Sequence, residues 1–283
     1  HKVVGQPMWG ASATTLAMVD SARAAGTDVM IDQYPYTASH SGITILIPAW
    51  AMEGGTDALL ARMEDPALAD SILTGIEFNI VNDRGGNDLR RVQFSRVSWD
   101  AQLEGRTLYD WAVRDGLDPT PATGARLVIE AVRRGGANGI YHAMSEDDVE
   151  AIMAHPQTMI GSDGRLVALG DGHPHPRWYG TFPRVLGLYA REKGVLTMEQ
   201  AIQKMTGMPA ARIGLRERGQ VRAGWFADLV VLDPETVIDR ATFEDPHQYP
   251  VGIDWVLVNG QVSVENGSFL DTRAGTVLKR GRN

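Results

Sequence analysis

The spacing of hydrophobic positions changes several times along the chain, and the changes divide it. In "SATTLAMVDSARAAG", Leu16, Met18, Val19 and Ala22 fall at helical spacing, and Gly26 follows as a stop. "DVMIDQYPYTAS" then reads as a short strand from Val29 to Ile31 that enters a loop at Pro35. Residues 45–139 break this rhythm with short polar and glycine-rich pieces such as "VNDRGGNDLRR". Only two helices are expected there, one near Asp57–Met63 and one near Leu108–Arg114. The rhythm resumes at "SEDDVEAIMAH", where Ser145 is the expected N-cap and acids fill the first turn. The strand "QTMIGSDG" follows, then helical patterns in "FPRVLGLYAREKG" and "TMEQAIQKMTGMPAARIGL". Strand and helix alternating in this way predict a parallel α/β framework interrupted by an insertion. Beyond Leu215 the pattern turns β-rich, with turns expected at Asn259-Gly260 and Asn266-Gly267.

Composition narrows the function classes. A chain of 283 residues with a net charge of −8 lacks the clustered Lys and Arg that phosphate binding requires, so a nucleic-acid partner is not expected. No apolar stretch approaches the roughly 20 residues of a membrane-spanning helix, so no membrane partner is expected either. With no cysteine, disulfides and thiolate metal ligands are excluded within this segment. The chain opens "HKVVGQPMWG", with no initiator Met and no leader-like apolar core, as though it begins inside a folded element.

Three stretches carry candidate chemistry. "TMIGSDG" drives Asp163 into place behind an apolar strand, where it serves as a turn residue, a helix cap, a metal ligand or a proton carrier. "DGHPHPRWYGTFPR" places His173 and His175 one residue apart, a spacing that suits zinc in an extended segment. Pro174 and Pro176 favour a second reading, a stiff loop presenting Arg177, whose guanidinium grips a carboxylate bidentately. "DQYPYTASHS" supplies Tyr34, Tyr36, Ser39, His40 and Ser41 after another strand. A Tyr hydroxyl there either stabilises charge on a reacting carbonyl or belongs to aromatic packing. His142, His155 and His247 are scattered singly and read as surface or core residues rather than ligands.

Taken together, these pieces resemble the N-acyl-D-amino-acid deacylases (D-aminoacylases) of the metal-dependent amidohydrolase superfamily. The resemblance runs over essentially the whole chain, through "HKVVG", "DQYPYTAS", "MSEDDVEAIMAHPQTMIGSDG", "HPHPRWYGTFPRVLG", "KMTGMPAARIGLRERGQVRAGWFADLVVLDP" and "VLVNG". It implies a (β/α)8 barrel of which this chain holds strands 6–8, with a lid-like insertion and part of a small β-sandwich. The expected boundaries are 1–44 barrel, 45–139 insertion, 140–212 barrel and 213–283 sandwich. It also implies one or two zinc ions at the barrel mouth and a small-molecule N-acyl-D-amino acid as substrate. A cytoplasmic enzyme is expected.

On this resemblance Asp163 touches the metal centre, acts as general base toward metal-activated water and passes the proton to the leaving amine. Arg177 and Lys2 hold the substrate's α-carboxylate, and Tyr34 supports the carbonyl oxygen. Where the family carries a carboxylate-binding Ser, the count from Tyr34 falls on His40, flanked by Ser39 and Ser41, so Ser39 and His40 are both candidates. The family's strand-6 signature is Ser-His-x-Lys. Lys2 matches its Lys, which puts His1 on the x and the ligand just before it; a shift of one residue makes His1 the ligand. The His-x-His of strand 1 and the ligands after the early strands are not in these residues, so a C-terminal portion of the enzyme is expected. Two alternatives stand beside this reading: a hydantoinase-like cyclic amidase, and a non-catalytic scaffold with the amidohydrolase fold.

Overall fold

In the computed structural model, which describes residues 1–279, a parallel strand pair forms the frame. Strands β1 (Ile31–Gln33) and β5 (Thr158–Ile160) lie side by side with Ile31 opposite Thr158 and Gln33 opposite Ile160. Gly161 N–H donates to Gln33 O at 2.9 Å and extends the ladder past the strand ends. Parallel neighbours need a crossover, and in this fold the crossover runs from residue 34 to residue 157. The helices around the pair are α1 (Ser12–Ala24), α6 (Glu146–Ala154), α7 (Arg177–Arg184), α8 (Met198–Met205) and α9 (Gly207–Ile213). Past Arg184, α7 continues as a wider π-type helix through Glu192, just beyond Pro183, which has no N–H for the α-ladder. Val149, Ile160, Val185 and Tyr189 share one buried core between these elements. Lys204 of α8 is also buried, and its ammonium donates to His155 O (2.6 Å) and Thr158 O (3.0 Å), tying the helix to β5.

The long crossover builds a unit of its own. It contains β2 (Ser39–Gly42), α2 (Gly55–Arg62), α3 (Pro66–Asn79), β3 (Val92–Arg96), α4 (Leu108–Arg114), α5 (Pro121–Arg133) and β4 (Asn138–Tyr141). The three strands make an antiparallel sheet in the order β2-β4-β3. Its core is extensive: Leu46, Ile72, Ile76, Phe94, Trp111 and Val128 are all fully buried. The expectation of two helices is therefore corrected to four. The two missed helices, α3 and α5, open on Asp65-Pro66 and Thr120-Pro121, and each cap side chain accepts backbone N–H groups of the first turn. α4 is closed by a capping box between Thr107 and Asp110.

The last unit is an antiparallel meander of β6 (Leu229–Leu232), β7 (Ile253–Val258), β8 (Gln261–Glu265) and β9 (Ser268–Phe269). Asn259 (φ 50°) and Gly260 (φ 80°) join β7 to β8, and Asn266 (φ 50°) and Gly267 (φ 72°) join β8 to β9. Two consecutive positive φ values define the turn that matches strand twist, so both expected hairpin turns are present.

Three local expectations need correction. The strand read at 29–31 is shifted to 31–33, and residues 1–4 carry no ladder strand. In α1 the spacing of Leu16, Met18 and Val19 does not mark a buried face among the described residues: Met18 is 67% exposed and only Ser12 is buried. Ser145 does precede α6, but its hydroxyl makes no capping bond. Trp111, which meets Phe94 edge-on and Trp99 at a tilt, is the largest of the fully buried side chains among the described residues. Trp111→Ala is expected to cost ~3–5 kcal/mol in urea unfolding; a loss below about 1 kcal/mol would show that this core does not carry the unit's stability.

Candidate active site

Past Ile160 the chain leaves β5 through Gly161 and Ser162 and reaches Asp163, which adopts a left-handed backbone (φ 46°). That turn sends Asp163 back toward the start of α7. Its carboxylate meets Arg177 Nη2 at 2.7 Å, and its carbonyl accepts Arg177 Nε–H at 3.0 Å. Arg177 is 4% exposed, whereas the Asp163 carboxylate is 63% exposed. The cation is therefore the anchored partner and the anion the accessible one. Burial lowers the Arg177 pKa, with Tyr34 and Asp163 opposing that shift.

Tyr34 lies on the other side of the guanidinium, whose carbon sits 4.6 Å from the ring centroid. The Lys2 ammonium donates to the Tyr34 hydroxyl at 3.1 Å. Lys2 and Tyr34, with His1, Gln33 and Tyr36, line a narrow cleft at the end of β1. Four of the residues singled out in the sequence, Lys2, Tyr34, Asp163 and Arg177, are thus linked by direct contacts. One Arg177 nitrogen, Nη1, is buried and makes no hydrogen bond within the described residues.

His40 belongs to the same neighbourhood. Its ring stands edge-on to Trp178 at 5.3 Å, and Nε2 pairs with Ser95 Oγ at 3.1 Å. Burial first, then the nearby guanidiniums of Arg177 and Arg165, push its pKa down to about 4, so it is neutral at physiological pH. Ser39 precedes it on β2, and neighbouring strand residues face opposite ways, so the two do not share a face. Ser39 is buried, and its hydroxyl makes no hydrogen bond within the described residues.

The zinc reading of His173 and His175 is overturned, because each ring already has other work. His173 Nε2 donates to Phe243 O at 2.7 Å. His175 is fully buried; its Nδ1 accepts the Arg177 N–H at 3.1 Å, which leaves Nε2 to donate to Ala38 O at 3.0 Å. Burial holds His175 neutral, and this imidazole fixes the first turn of α7 on which Arg177 sits. His1 Nε2 is paired with Thr15 Oγ1 at 2.9 Å. Among the described residues, no group of three or more His, Asp or Glu lies close enough to hold a metal ion.

Sequence reading missed several supporting residues. Trp178 and Ser95 wall in His40, and the buried Gln93 of β3 accepts from His142 Nε2 (3.1 Å) and donates to Phe243 O (2.9 Å). Gln93 carries no motif; only its position in a buried strand could have flagged it.

The chain belongs to the amidohydrolase family, whose sequence profile matches residues 12–264. More narrowly, it is 40% identical over 280 residues to a D-aminoacylase of Alcaligenes xylosoxydans xylosoxydans, covering 99% of this chain and 48% of that protein. It is 40% identical over 283 residues to an N-acyl-D-glutamate deacylase of the same organism, covering 99% and 47%. The chain thus spans about half the length of the curated relatives it matches. Among solved structures, a D-aminoacylase described for its binuclear metal centre superposes with a TM-score of 0.74 at 38% identity, over 99% of this chain and 48% of that one. An N-acyl-D-glutamate deacylase from Bordetella bronchiseptica, solved with zinc and a phosphonate mimic of the tetrahedral intermediate, superposes at 0.68 and 36% identity, over 93% and 45%. These likenesses show an α/β chain of the amidohydrolase fold. Among the described residues no helix is long and apolar enough to cross a membrane.

His40 and His142 share a pH consequence, since burial lowers both pKa values to about 4. Between about pH 6.5 and pH 4 the unfolded chain takes up protons that the folded chain refuses, so stability falls as pH falls through that window. A thermal melt series from pH 7 to 4.5 is expected to show Tm dropping by several degrees, with ~1 kcal/mol equivalent to about 2–4 °C at this size. His40→Gln and His142→Gln should each flatten the slope; an unchanged slope in both would exclude these rings as its source.

Proposed function

We propose that this chain forms the substrate-gripping part of a zinc-dependent hydrolase that cleaves the amide bond of N-acyl-D-amino acids, releasing a D-amino acid and a carboxylate. One observation carries the reading: a guanidinium buried to 4% exposure is clamped by Asp163 and lies against the Tyr34 ring, whose hydroxyl accepts from Lys2. A buried Arg with a nitrogen unspent on protein suits a free carboxylate. Lys2 adds a second cation, and the Tyr34 hydroxyl is the donor for the carbonyl oxygen as it becomes tetrahedral. The names of the relatives, deacylases of N-acyl-D-amino acids, agree with this chemistry.

In this reading β1 and β5 are strands 7 and 8 of a (β/α)8 barrel. Residues 45–139 are the lid-like insertion, and residues from 213 onward are part of the β-sandwich. Asp163 is the base: its exposed carboxylate takes a proton from the attacking water and returns it to the leaving amine. Zinc, when bound through ligands outside this segment, supplies the polarisation that makes water nucleophilic at neutral pH. The chain's own residues hold the substrate and carry the proton. A cyclic amide offers Arg177 no free carboxylate, which favours the linear substrate.

Two substitutions in the protein carrying its zinc ligands separate these roles. Asp163→Ala is expected to lower kcat by ~10²–10⁴, while Arg177→Lys raises KM by ~10–100-fold with a smaller change in kcat. Hydrolysis that survives Asp163→Ala would remove the proposed base. Turnover of a hydantoin in place of an N-acyl-D-amino acid would favour the cyclic amidase.

A further inference from the structure

The groups at the cleft are not held by their own strands alone. Asp239 sits in the terminal β unit, in the connection from β6 to β7, which pairs with itself through the bridge between Ile238 and Val251. Its carboxylate is 4% exposed, and the cation that meets it is Arg184, with Nη1 at 3.1 Å. Arg184 ends α7, and its Nε donates at 3.0 Å to the carbonyl of Pro35, the residue between Tyr34 and Tyr36. The same guanidinium lies 4.9 Å from the Tyr36 ring centroid. The Tyr36 hydroxyl, itself buried, is shared between Asp239 Oδ2 (3.5 Å) and Pro176 O (3.4 Å), the carbonyl just before Arg177. Gly180 permits this approach: a Cβ there would stand 2.6 Å from Asp239 Cβ and 2.8 Å from the Tyr36 hydroxyl.

One carboxylate thus reaches both arms of the cleft. Through Arg184 it holds the Tyr34 loop at Pro35, and through Tyr36 it holds the start of α7 at Pro176. A buried ion pair is a poor source of net stability, because desolvation offsets the Coulomb gain, but it tolerates few geometries. We infer that Asp239 is a positioning residue, which acts from the terminal β unit through Arg184 and Tyr36 to fix the distance between Tyr34 and Arg177. The inference rests on the reading above, in which those two residues hold the substrate. It gives the terminal unit a part in the site at one remove from the substrate.

The test uses hydrogen exchange in the full chain, which needs no substrate. The amides of Tyr36, Trp178, Tyr179 and Gly180 are each bonded to a nearby carbonyl and report on the two arms. In Asp239→Asn, exchange at both arms is expected to accelerate by about tenfold or more, and Asp239→Glu is expected to restore part of the protection. Leu196→Ala, which opens the buried core of the strand–helix frame but removes none of these groups, should leave the two arms slow. Wild-type exchange at both arms in Asp239→Asn, or equal acceleration in Leu196→Ala, overturns the inference. Should Asp239→Asn fail to fold, Tyr36→Phe tests the α7 arm alone: acceleration at 178–180 supports the link, and its absence overturns it.

A second readout separates this inference from the function it rests on. In the zinc-loaded enzyme, Asp239→Asn is expected to raise KM for an N-acyl-D-amino acid by about tenfold with kcat changed less, since misplaced binding groups lose substrate before they lose chemistry. Accelerated exchange in a protein whose wild type does not turn over such a substrate would leave the positioning link standing and remove the proposed activity.

Discussion

A buried guanidinium is the constraint to which the rest of the site conforms. Desolvating a cation costs several kcal/mol unless its surroundings compensate, and Arg177 has 4% exposure. Compensation arrives from two directions, and each of them fixes a segment. Asp163 contributes both carboxylate and carbonyl, and to do so it takes a left-handed backbone at the end of β5. Tyr34 offers the face of its ring, which fixes the loop after β1. Apart from the charge, His175 accepts the backbone N–H of Arg177 and thereby fixes the first turn of α7. The parallel pairing of β1 with β5 brings these segments within reach of one another, so the strand register and the site geometry are a single arrangement.

This dependence explains which parts were legible in the sequence. The alternating framework, the terminal meander and its two Asn-Gly turns follow from local period and turn chemistry, and they are found nearly in place. Arg177 could be singled out because prolines stiffen its loop and guanidinium geometry matches a carboxylate; the carboxylate it meets in the structure is that of Asp163. Two helices of the inserted unit were not legible, because Gly75 and Gly124 sit inside α3 and α5 and mask their period. Those glycines have a packing reason: a Cβ on Gly75 would stand 2.4 Å from Pro48, and one on Gly124 would stand 2.7 Å from Leu89. Close approach required the residues that made the helices look broken.

His173 and His175 show the opposite error. Spacing alone put two imidazoles on one face, but in the structure, with Pro174 between them, each ring faces a different partner. A histidine pair signals a metal only when its nitrogens are free, and sequence does not show what carbonyls they will meet. His40 is informative for the same reason: an imidazole kept neutral by burial beside two guanidiniums contributes shape and a hydrogen-bonding nitrogen rather than charge.

The inserted and terminal units meet the frame through directional polar contacts, and these converge. Phe243 O accepts from Gln93 of the inserted sheet and from His173 of the loop before α7, while the Phe243 ring packs on His142 and His175. Three stretches far apart in sequence therefore close on one residue of the terminal β unit. The three segments cannot shift independently without leaving a buried donor or acceptor unpaired, at about 1–3 kcal/mol apiece. Hydrophobic burial gives each unit its stability, but such burial is non-directional and tolerates sliding. The polar junctions at Phe243 and Asp239 supply the direction, and a cleft assembled from three segments needs it more than it needs further apolar area.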